Sequence, residues 1–240
     1  MPLGAGALVL QALAVDRPTL LGSQVMVEGA SPANELEAEI RAHADQQGWD
    51  AAATAALRGY GAELLGFLRA VIPNAAEADE AFSALCESVW SALPEFRFES
   101  SCRTWLYGVA RNVARDQRRA RYRRERRFPG LDTSAAAQVA ARVRSTTAVH
   151  LKQGTKRRLH AIRDALPAED RMLLVLRIDR AMAWSEIARV LAAGAEDEQD
   201  DSHSVVSDVE LARESARLRK RFERVKAQLA EQLRADIPPS

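Results

Sequence analysis

The sequence predicts an all-α protein made of two small helical domains joined by a flexible linker. Alanine and leucine are abundant and aromatic residues make up only 5% of the 240 residues, a composition that favours helices. Apolar residues recur at three- and four-residue spacing, as one face of a helix requires, and no run of alternating β-branched residues predicts a strand. The chain is long enough for two domains. We expect a disordered tail at 1–33, a first domain at 34–128, a linker rich in Ala, Ser, Thr and Gly at 129–155, and a second domain at 156–236.

The first 33 residues are apolar, but they are not predicted to insert into a membrane. They have no basic n-region, and Asp16, Arg17 and Pro18 interrupt the apolar run. The run is therefore too short for a membrane span and atypical of a signal peptide. We expect either a disordered tail or sequence upstream of a true start at Met26.

The cysteines and histidines predict neither a disulfide framework nor a metal site. Cys86 and Cys102 lie on the apolar side of predicted helices, where small buried thiols are usual, and the four histidines lack ligand spacing. Two cysteines fit a reducing cytoplasm, and no cofactor is expected. Because there is no cluster of carboxylates or histidines, we do not expect an enzyme.

Three helices are predicted to open the first domain. Acidic residues after Ser31 mark a helix start, and this helix continues to about Gln47. A second helical pattern covers 49–72, and a third is ended by Pro94. The apolar stripe of the third helix comprises Ala78, Ala81, Phe82, Leu85, Cys86, Val89 and Leu93.

The stretch Ser100–Arg127 is predicted to be one long helix with two distinct faces. Residues 111–127 contain nine arginines and two acids, a net charge of +7. Such a one-sided excess indicates a phosphate-binding surface, whereas a solvated helix end is the alternative. The apolar face comprises Cys102, Trp105, Leu106, Val109, Ala110 and Val113, and the other face Arg103, Tyr107, Arg111, Arg115, Arg118 and Arg119.

The second domain is predicted to end in another basic helix. Leu159 and Ile162 belong to a first helix, a second restarts at Pro167, and WSEIARVLAAG forms a third that ends at Gly194. Residues 195–210 hold seven acids and no lysine or arginine, which predicts a solvated loop. The last helix has apolar residues at heptad spacing and a net charge of +5 over residues 213–226. It is either a recognition helix for DNA or an amphipathic helix for a protein partner.

Two segments resemble bacterial sigma factors of RNA polymerase, of the extracytoplasmic-function (ECF) group. FRFESSCRTWLYGVARNVARDQRR resembles sigma region 2, and ALPAEDRMLLVLRIDRAMAWSEIARVL resembles the first part of the helix-turn-helix of region 4. The acidic loop 195–210 is an insertion relative to this family, and Ser83 and Ala84 stand where the family has a Gln-Glu pair. The region 2 signature comprises Phe98, Ser100 or Ser101, Thr104, Trp105, Leu106, Tyr107, Ala110, Arg111, Asn112, Asp116 and Arg119.

The resemblance implies a sigma factor that binds core RNA polymerase and promoter DNA; an anti-sigma factor is a further partner that it leaves open. The implied residues for the −10 element are Arg103, Thr104, Trp105, Tyr107, Arg111, Asn112, Arg115, Arg118 and Arg119. Those for the −35 element are Arg213, Glu214, Ser215, Arg217, Lys220, Arg221 and Arg224. Those for the polymerase are Asp79, Glu80, Ser83, Glu87 and Trp90.

Three alternatives stay open at this point. Trp105 lies on the apolar stripe, so it can be a core residue instead of a stacking surface for a base. A helical adaptor that binds polymerase or another protein without reading DNA would keep the apolar stripes but would not need the segregated arginines. The acidic loop is an electrostatic competitor that lowers non-specific DNA binding, a docking site for a basic regulator, or a solvated insertion.

Overall fold

The computed structural model describes residues 32–127, 161–192 and 207–235. Within these ranges the regular structure is helical and contains no strand, so the predicted all-α class is confirmed. The predicted tail, the linker 129–155 and most of the acidic loop lie outside the described residues. The main helices within these ranges are α1 (Pro32–Asp45), α2 (Trp49–Val71), α3 (Ala75–Ala92), α4 (Cys102–Arg127), α5 (Ala168–Leu174), α6 (Trp184–Ala192) and α7 (Asp208–Ala235).

Helices α1 and α2 form a tightly packed pair. Helix α1 ends at Asp45, slightly before the predicted Gln47, because Gln47 has a φ of 59° and turns the chain. A methyl group at Gly59 of α2 would lie 2.1 Å from a terminal carbon of Leu36, so the missing side chain lets α1 approach closely. Ala52, Ala53, Ala55 and Ala56 of α2 are buried as well.

Helix α3 packs on α2 through the predicted apolar stripe. Its N-terminus is capped by Asn74, whose side-chain oxygen accepts hydrogen bonds from the backbone of Ala76 at 2.9 Å and Glu77 at 3.3 Å. The helix gives way to a 3₁₀ turn, Leu93–Glu95, that contains the predicted helix-ending proline. The stripe is buried at Ala78, Ala81, Leu85, Val89 and Leu93 and half-buried at Phe82 and Cys86.

The second group of helices comprises residues 161–165, α5, α6 and α7. Residues 161–165 are helical, and α5 begins directly after Pro167, as predicted. The chain then continues as a π-helical segment, Val175–Asp179, in which the Arg180 amide bonds to the Val175 carbonyl at 3.0 Å. This wider turn rotates the helix face, and Ile178, which could have continued the apolar stripe, is 37% exposed. Trp184 of α6 meets Phe222 of α7 edge to face, with ring centres 5.4 Å apart.

Helix α7 begins at Asp208, so the last residues of the predicted loop 195–210 are helical instead. Ser207 caps the helix: its hydroxyl accepts from the Glu210 amide at 3.3 Å, and the Glu210 carboxylate accepts from the Ser207 amide at 3.1 Å. This reciprocal pair is a capping box, which satisfies the first amides of the helix and places its start. The predicted apolar stripe is buried at Leu211, Leu218, Phe222, Val225 and Leu229.

The two groups of helices lie against each other and share one continuous apolar core. Helix α6 packs on α4, and α5 with the π-helical segment packs on α2. The sequence predicted two domains joined by a linker but gave no indication of this contact. The contact decides which residues of α4 face solvent.

Candidate nucleic-acid interface

The start of α4 is held by a carboxylate from α1. Glu37 accepts hydrogen bonds from the backbone amides of Cys102 at 2.7 Å and Arg103 at 3.0 Å, and from the Tyr60 hydroxyl at 2.7 Å. A carboxylate at a helix N-terminus satisfies unpaired amides and complements the helix dipole. Sequence analysis missed Glu37, because its partners lie more than 20 residues away along the chain. Its effect is to fix the position of the whole basic helix.

The Cys102 side chain is a core group. It is fully buried at the start of α4. This burial is the main reason why the pKa of the thiol is raised to about 12, and the nearby charge of Glu37 is the smaller reason. Cys86 is half-buried, and burial raises the pKa of its thiol as well. Both cysteines are free thiols, and the placement of Cys102 agrees with the predicted apolar stripe.

Arg103 is engaged inside the protein. Its guanidinium forms an ion pair with Glu63 of α2 at 2.8 Å and also donates to the backbone carbonyl of Arg180 at 3.2 Å. Glu63 is a second residue that sequence analysis missed. In this arrangement the charge of Arg103 is compensated by protein groups and not offered to solvent.

Three further residues of the predicted DNA-facing surface are buried. Thr104 is 3% exposed, Tyr107 is fully buried, and Arg111 is 7% exposed. The Tyr107 ring meets Phe67 edge to face at 5.2 Å, and burial raises the pKa of its hydroxyl to about 12. Tyr107 is therefore packed inside the first group of helices, against α2, and the roles of Tyr107 and Arg111 at the −10 element stay predictions.

The buried guanidinium of Arg111 is only partly satisfied. Its Nε and Nη1 atoms are buried and have no hydrogen-bond partner among the described residues. Burial lowers the pKa of Arg111, an effect that Glu169 opposes and that Arg115 and Arg118 reinforce. A cation in this position is destabilising until it finds an anion or water.

Trp105 borders a small cleft between α4 and α6. The indole stacks on Phe96, with ring centres 4.9 Å apart and planes 23° apart, and Phe96 in turn contacts Phe98 at 4.5 Å. Trp105 is half-buried, so it is both a packed residue and a wall of the cleft. The cleft has a volume of about 220 Å³ and is lined by Ser100, Thr104, Trp105, Gly108, Val109, Asn112 and Arg189.

The second half of α4 carries its arginines on the outside. Arg118 and Arg119 are exposed, and their carboxylate contacts with Glu169 at 3.6 Å and Asp116 at 3.9 Å are long. Exposed ion pairs of this kind contribute little and exchange readily for other anions. Arg115 is half-buried and Asn112 lies at the cleft. This half of α4 is therefore the strongest described surface for phosphate groups. Its other exposed side chains are those of Asp116, Tyr122, Arg123, Arg124, Arg126 and Arg127.

The residues predicted to contact the −35 element differ in their positions on α7: some contact other protein groups, and others form an exposed basic face. Arg221 forms an ion pair with Asp170 of α5 at 2.6 Å, which ties α7 to the second group of helices. Ser215 donates to the carbonyl of Leu211 at 2.7 Å, and Glu214 lies 3.4 Å from Arg217. The exposed basic face consists of Arg213, Arg217, Lys220 and Arg224.

The predicted polymerase surface lies on the outer side of α3. Asp79 pairs with Arg69 at 2.8 Å, and Glu80 accepts from the Gln117 side chain at 3.0 Å. Ser83 and Glu87 are exposed. Trp90 is 44% exposed, and its indole nitrogen donates to Asp50 at 2.8 Å. An exposed, oriented tryptophan with acids beside it is typical of a protein-binding hot spot.

The described residues carry no further sign of a cofactor or membrane site. No group of three histidine, cysteine or acidic side chains among them is arranged to hold a metal ion. None of the described helices is both long enough and apolar enough to cross a membrane.

Comparison with known proteins gives two findings. Residues 57–124 match the family model of Sigma-70 region 2. The structure is similar to that of the sigma factor RpoE, solved in complex with the anti-sigma factor NepR from Bartonella quintana, with a TM-score of 0.51 and 15% identity over 75% of this chain and 96% of that chain. No curated protein matches the sequence.

These findings confirm the resemblance to sigma factors that the sequence predicts. The family match covers α4 up to Arg124 together with α3 and most of α2, which is the part of the chain that positions the basic helix. The structural similarity shows a shared fold. The family match supports a general role as a sigma factor.

Proposed function

We propose that this protein is an ECF-type sigma factor that binds core RNA polymerase and directs it to promoters. The observation that carries the proposal is the match of residues 57–124 to sigma-70 region 2 together with the exposed arginines on the second half of α4. In this proposal the first domain contacts the −10 element and the second domain contacts the −35 element.

The −10 element would meet α4 and the cleft beside Trp105. Removing a base from the DNA stack costs a few kcal/mol. An aromatic surface and a pocket that accept the base can offset this cost. The half-buried indole of Trp105 and the open space next to Asn112 supply these two features. The exposed guanidinium groups of Arg118 and Arg119 would hold the phosphates of the same strand.

The −35 element would meet the exposed face of α7. In a helix-turn-helix, the recognition helix contacts the bases by placing its N-terminal half in the major groove. Arg213 and Arg217 lie in that half, with Lys220 and Arg224 along the same exposed face. Arg221 would act indirectly, because its pairing with Asp170 positions the helix.

The polymerase would bind the outer side of α3. Trp90 offers the apolar centre of such an interface, and the exposed carboxylates of Glu80 and Glu87 offer a polar rim. An anti-sigma factor is proposed as a further partner, since the structurally similar RpoE was solved in complex with one.

Run-off transcription tests the proposal. The purified chain is added to core RNA polymerase on fragmented genomic DNA, and the transcripts are sequenced. We expect discrete start sites that require the chain, with two common sequence elements upstream. An adaptor that binds polymerase without reading DNA would associate with the core enzyme but give no new start sites. That outcome would replace the proposed function with the adaptor alternative.

A further inference from the structure

The loop between α3 and α4, residues 96–101, carries two aromatic side chains and reaches the cleft beside Trp105. Its residues lie outside the helices, and its Ser100 lines the cleft. Phe98 has a φ of 56°, in the left-handed region that residues other than glycine rarely adopt. Such a backbone persists only where neighbouring groups hold it in place. The loop must therefore be fixed by contacts with the rest of the domain.

One such contact comes from Arg41 of α1. Its guanidinium carbon lies 4.7 Å from the centre of the Phe98 ring, which is a cation–π contact. Phe98 lies 4.5 Å from Phe96, and Phe96 lies 4.9 Å from Trp105, measured between ring centres. The guanidinium also lies 3.9 Å from the carboxylate of Asp45, but this pair is exposed and contributes little. A continuous series of contacts, called the aromatic stack below, hence leads from α1 to the cleft and consists of Arg41, Phe98, Phe96 and Trp105.

Glu37 of α1 holds the other end of the loop. It precedes Arg41 by one helical turn, so the two residues lie on the same side of α1. The Glu37 carboxylate accepts from the backbone amides of Cys102 at 2.7 Å and Arg103 at 3.0 Å, where the loop ends and α4 begins. Two charged residues of α1 therefore contact the loop at Phe98 and the first residues of α4 that follow it.

The attachment of α1 to α2 is made by apolar side chains. Ile40 and Ala44 are buried, and Leu36 approaches Gly59 of α2 closely. Arg41, by contrast, is exposed, so its cation–π contact adds little to the stability of the domain. We therefore expect the apolar contacts to maintain the fold and Arg41 to set the position of the loop.

The position of Trp105 determines how well the cleft can receive a base. Stacking requires the base and the indole to lie face to face. The Phe96 ring, whose plane is 23° from that of the indole, limits how far the indole can tilt. A site whose side chains are fixed before binding loses less conformational entropy when its ligand arrives. Contacts that fix Phe96 therefore favour the binding of an unpaired base.

We propose that Arg41 and Glu37 are positioning residues for the cleft beside Trp105, because they hold the aromatic stack and the start of α4 ready for an unpaired base. The inference rests on the proposed function, which places a base of the −10 element in this cleft. It adds that promoter opening depends on α1, a helix outside the segment 57–124 that matches Sigma-70 region 2. Neither residue contacts DNA in this proposal, since both act through the loop and α4.

Variants of α1 test this role without changing the cleft itself. Arg41→Gln removes the cation from the Phe98 ring, and Arg41→Lys restores a cation that can occupy the same ring face. Arg58→Gln is the matched control, because it removes the same charge from an exposed arginine of α2. Glu37→Gln is a second variant, which keeps the shape of the side chain but removes the charge that complements the start of α4.

The position of Trp105 is measured by fluorine NMR on the full chain labelled with 5-fluorotryptophan. The chain has four tryptophans, and Trp105→Phe identifies the signal of Trp105. We expect Arg41→Gln and Glu37→Gln to shift or broaden this signal and to leave the other tryptophan signals unchanged. Arg41→Lys and Arg58→Gln should give the spectrum of the unchanged chain. An unaltered Trp105 signal in Arg41→Gln would overturn the proposal, whether or not Glu37→Gln folds.

Promoter opening and polymerase binding are measured on the same variants. Permanganate reactivity of thymines near the start sites found by run-off transcription reports opening, and titration with core polymerase reports binding. We expect Arg41→Gln to reduce opening about two- to fivefold, the factor that corresponds to an exposed cation–π contact, and to bind core polymerase with unchanged affinity. Arg41→Lys should restore opening. If Arg41→Gln instead lowers opening and polymerase affinity by the same factor, its role is structural and the proposal is wrong.

The two proposals fail in different ways. If core polymerase with the unchanged chain yields no start sites, the proposed function falls, and the positioning role is decided by the fluorine signal of Trp105 alone. If start sites appear but Arg41→Gln opens promoters as well as the unchanged chain does, the proposed function stands and the positioning role falls.

Discussion

At the scale of single residues, α4 shows how one side chain can fit a sequence pattern and yet serve the core. Tyr107 belongs to the signature that resembles sigma region 2, and its spacing placed it on the arginine face. In the structure its ring is fully buried against Phe67. We therefore expect Tyr107 to stabilise the fold, with any effect on DNA exerted through the position of α4.

The buried hydroxyl of Tyr107 predicts a specific alkaline response. Its pKa is raised from 10.0 to about 12 in the folded protein, so the folded state holds this proton more tightly than the unfolded state. The corresponding stability is fully present below pH 10 and is lost as the pH rises towards 12. Tyr107→Phe keeps the ring contact, and we expect its free energy of unfolding to fall less steeply over this range in urea titrations. An equally steep fall in both proteins would show that the hydroxyl is not buried.

The two kinds of arginine on α7 give a second prediction at this scale. Arg221→Ala leaves Asp170 without its partner in a half-buried site and should lower the free energy of unfolding by about 1–2 kcal/mol, between the values for exposed and buried pairs. Arg217→Ala, at an exposed position on the same helix, should leave stability unchanged and weaken DNA binding. Lower stability of Arg217→Ala, together with unchanged stability and weaker DNA binding of Arg221→Ala, would contradict this assignment.

At the scale of elements, the exposed second half of α4 is the surface on which phosphate binding depends most directly. Arg118→Ala combined with Arg119→Ala should make the dependence of log affinity on log salt shallower by about 2, one for each lost phosphate contact. Arg58→Ala on α2 is the control, since it removes an exposed arginine outside this helix. An equal change of this slope in Arg58→Ala would mean that the slope depends on the net charge of the protein and not on phosphate contacts made by α4.

Helix α3 carries the prediction for the polymerase. Trp90→Ala removes the exposed indole and should weaken binding to core RNA polymerase by 2 kcal/mol or more, on the order of a truncated hot spot. Glu95→Gln, at an exposed position just beyond α3, serves as a control for the same assay. Unchanged binding of the Trp90 variant, with circular dichroism showing an intact fold, would place the polymerase interface elsewhere.

The elements themselves were largely predictable from the sequence. Apolar periodicity located α1 to α4 within a few residues, and the caps explain most of the differences: Gln47 ends α1 early, and Ser207 with Glu210 starts α7 early. What the periodicity could not supply were partners distant in the chain. Glu37 and Glu63 look like ordinary surface acids in the sequence, yet they hold the start of α4 and the charge of Arg103.

At the scale of the whole molecule, the packing of the two groups of helices governs the site. The apolar stripes of α6 and α7 predicted a core within the second group, but they did not predict that this group packs on the first. The contact of α6 with α4 was not visible, because Thr104, whose hydroxyl donates to Glu186 of α6, belongs in the sequence to a predicted DNA-binding face. The sequence thus identified the basic helix but not which half of it the folded chain exposes.

Under the proposed function, this chain lets RNA polymerase recognise and open promoter DNA through α4. The most direct measurement is the permanganate reactivity of thymines near the start sites found by run-off transcription. We predict that thymines of the −10 element become reactive only when core polymerase and the chain are both present, and that Trp105→Ala reduces this reactivity. Equal reactivity with core polymerase alone, or none with the complex, would contradict the account.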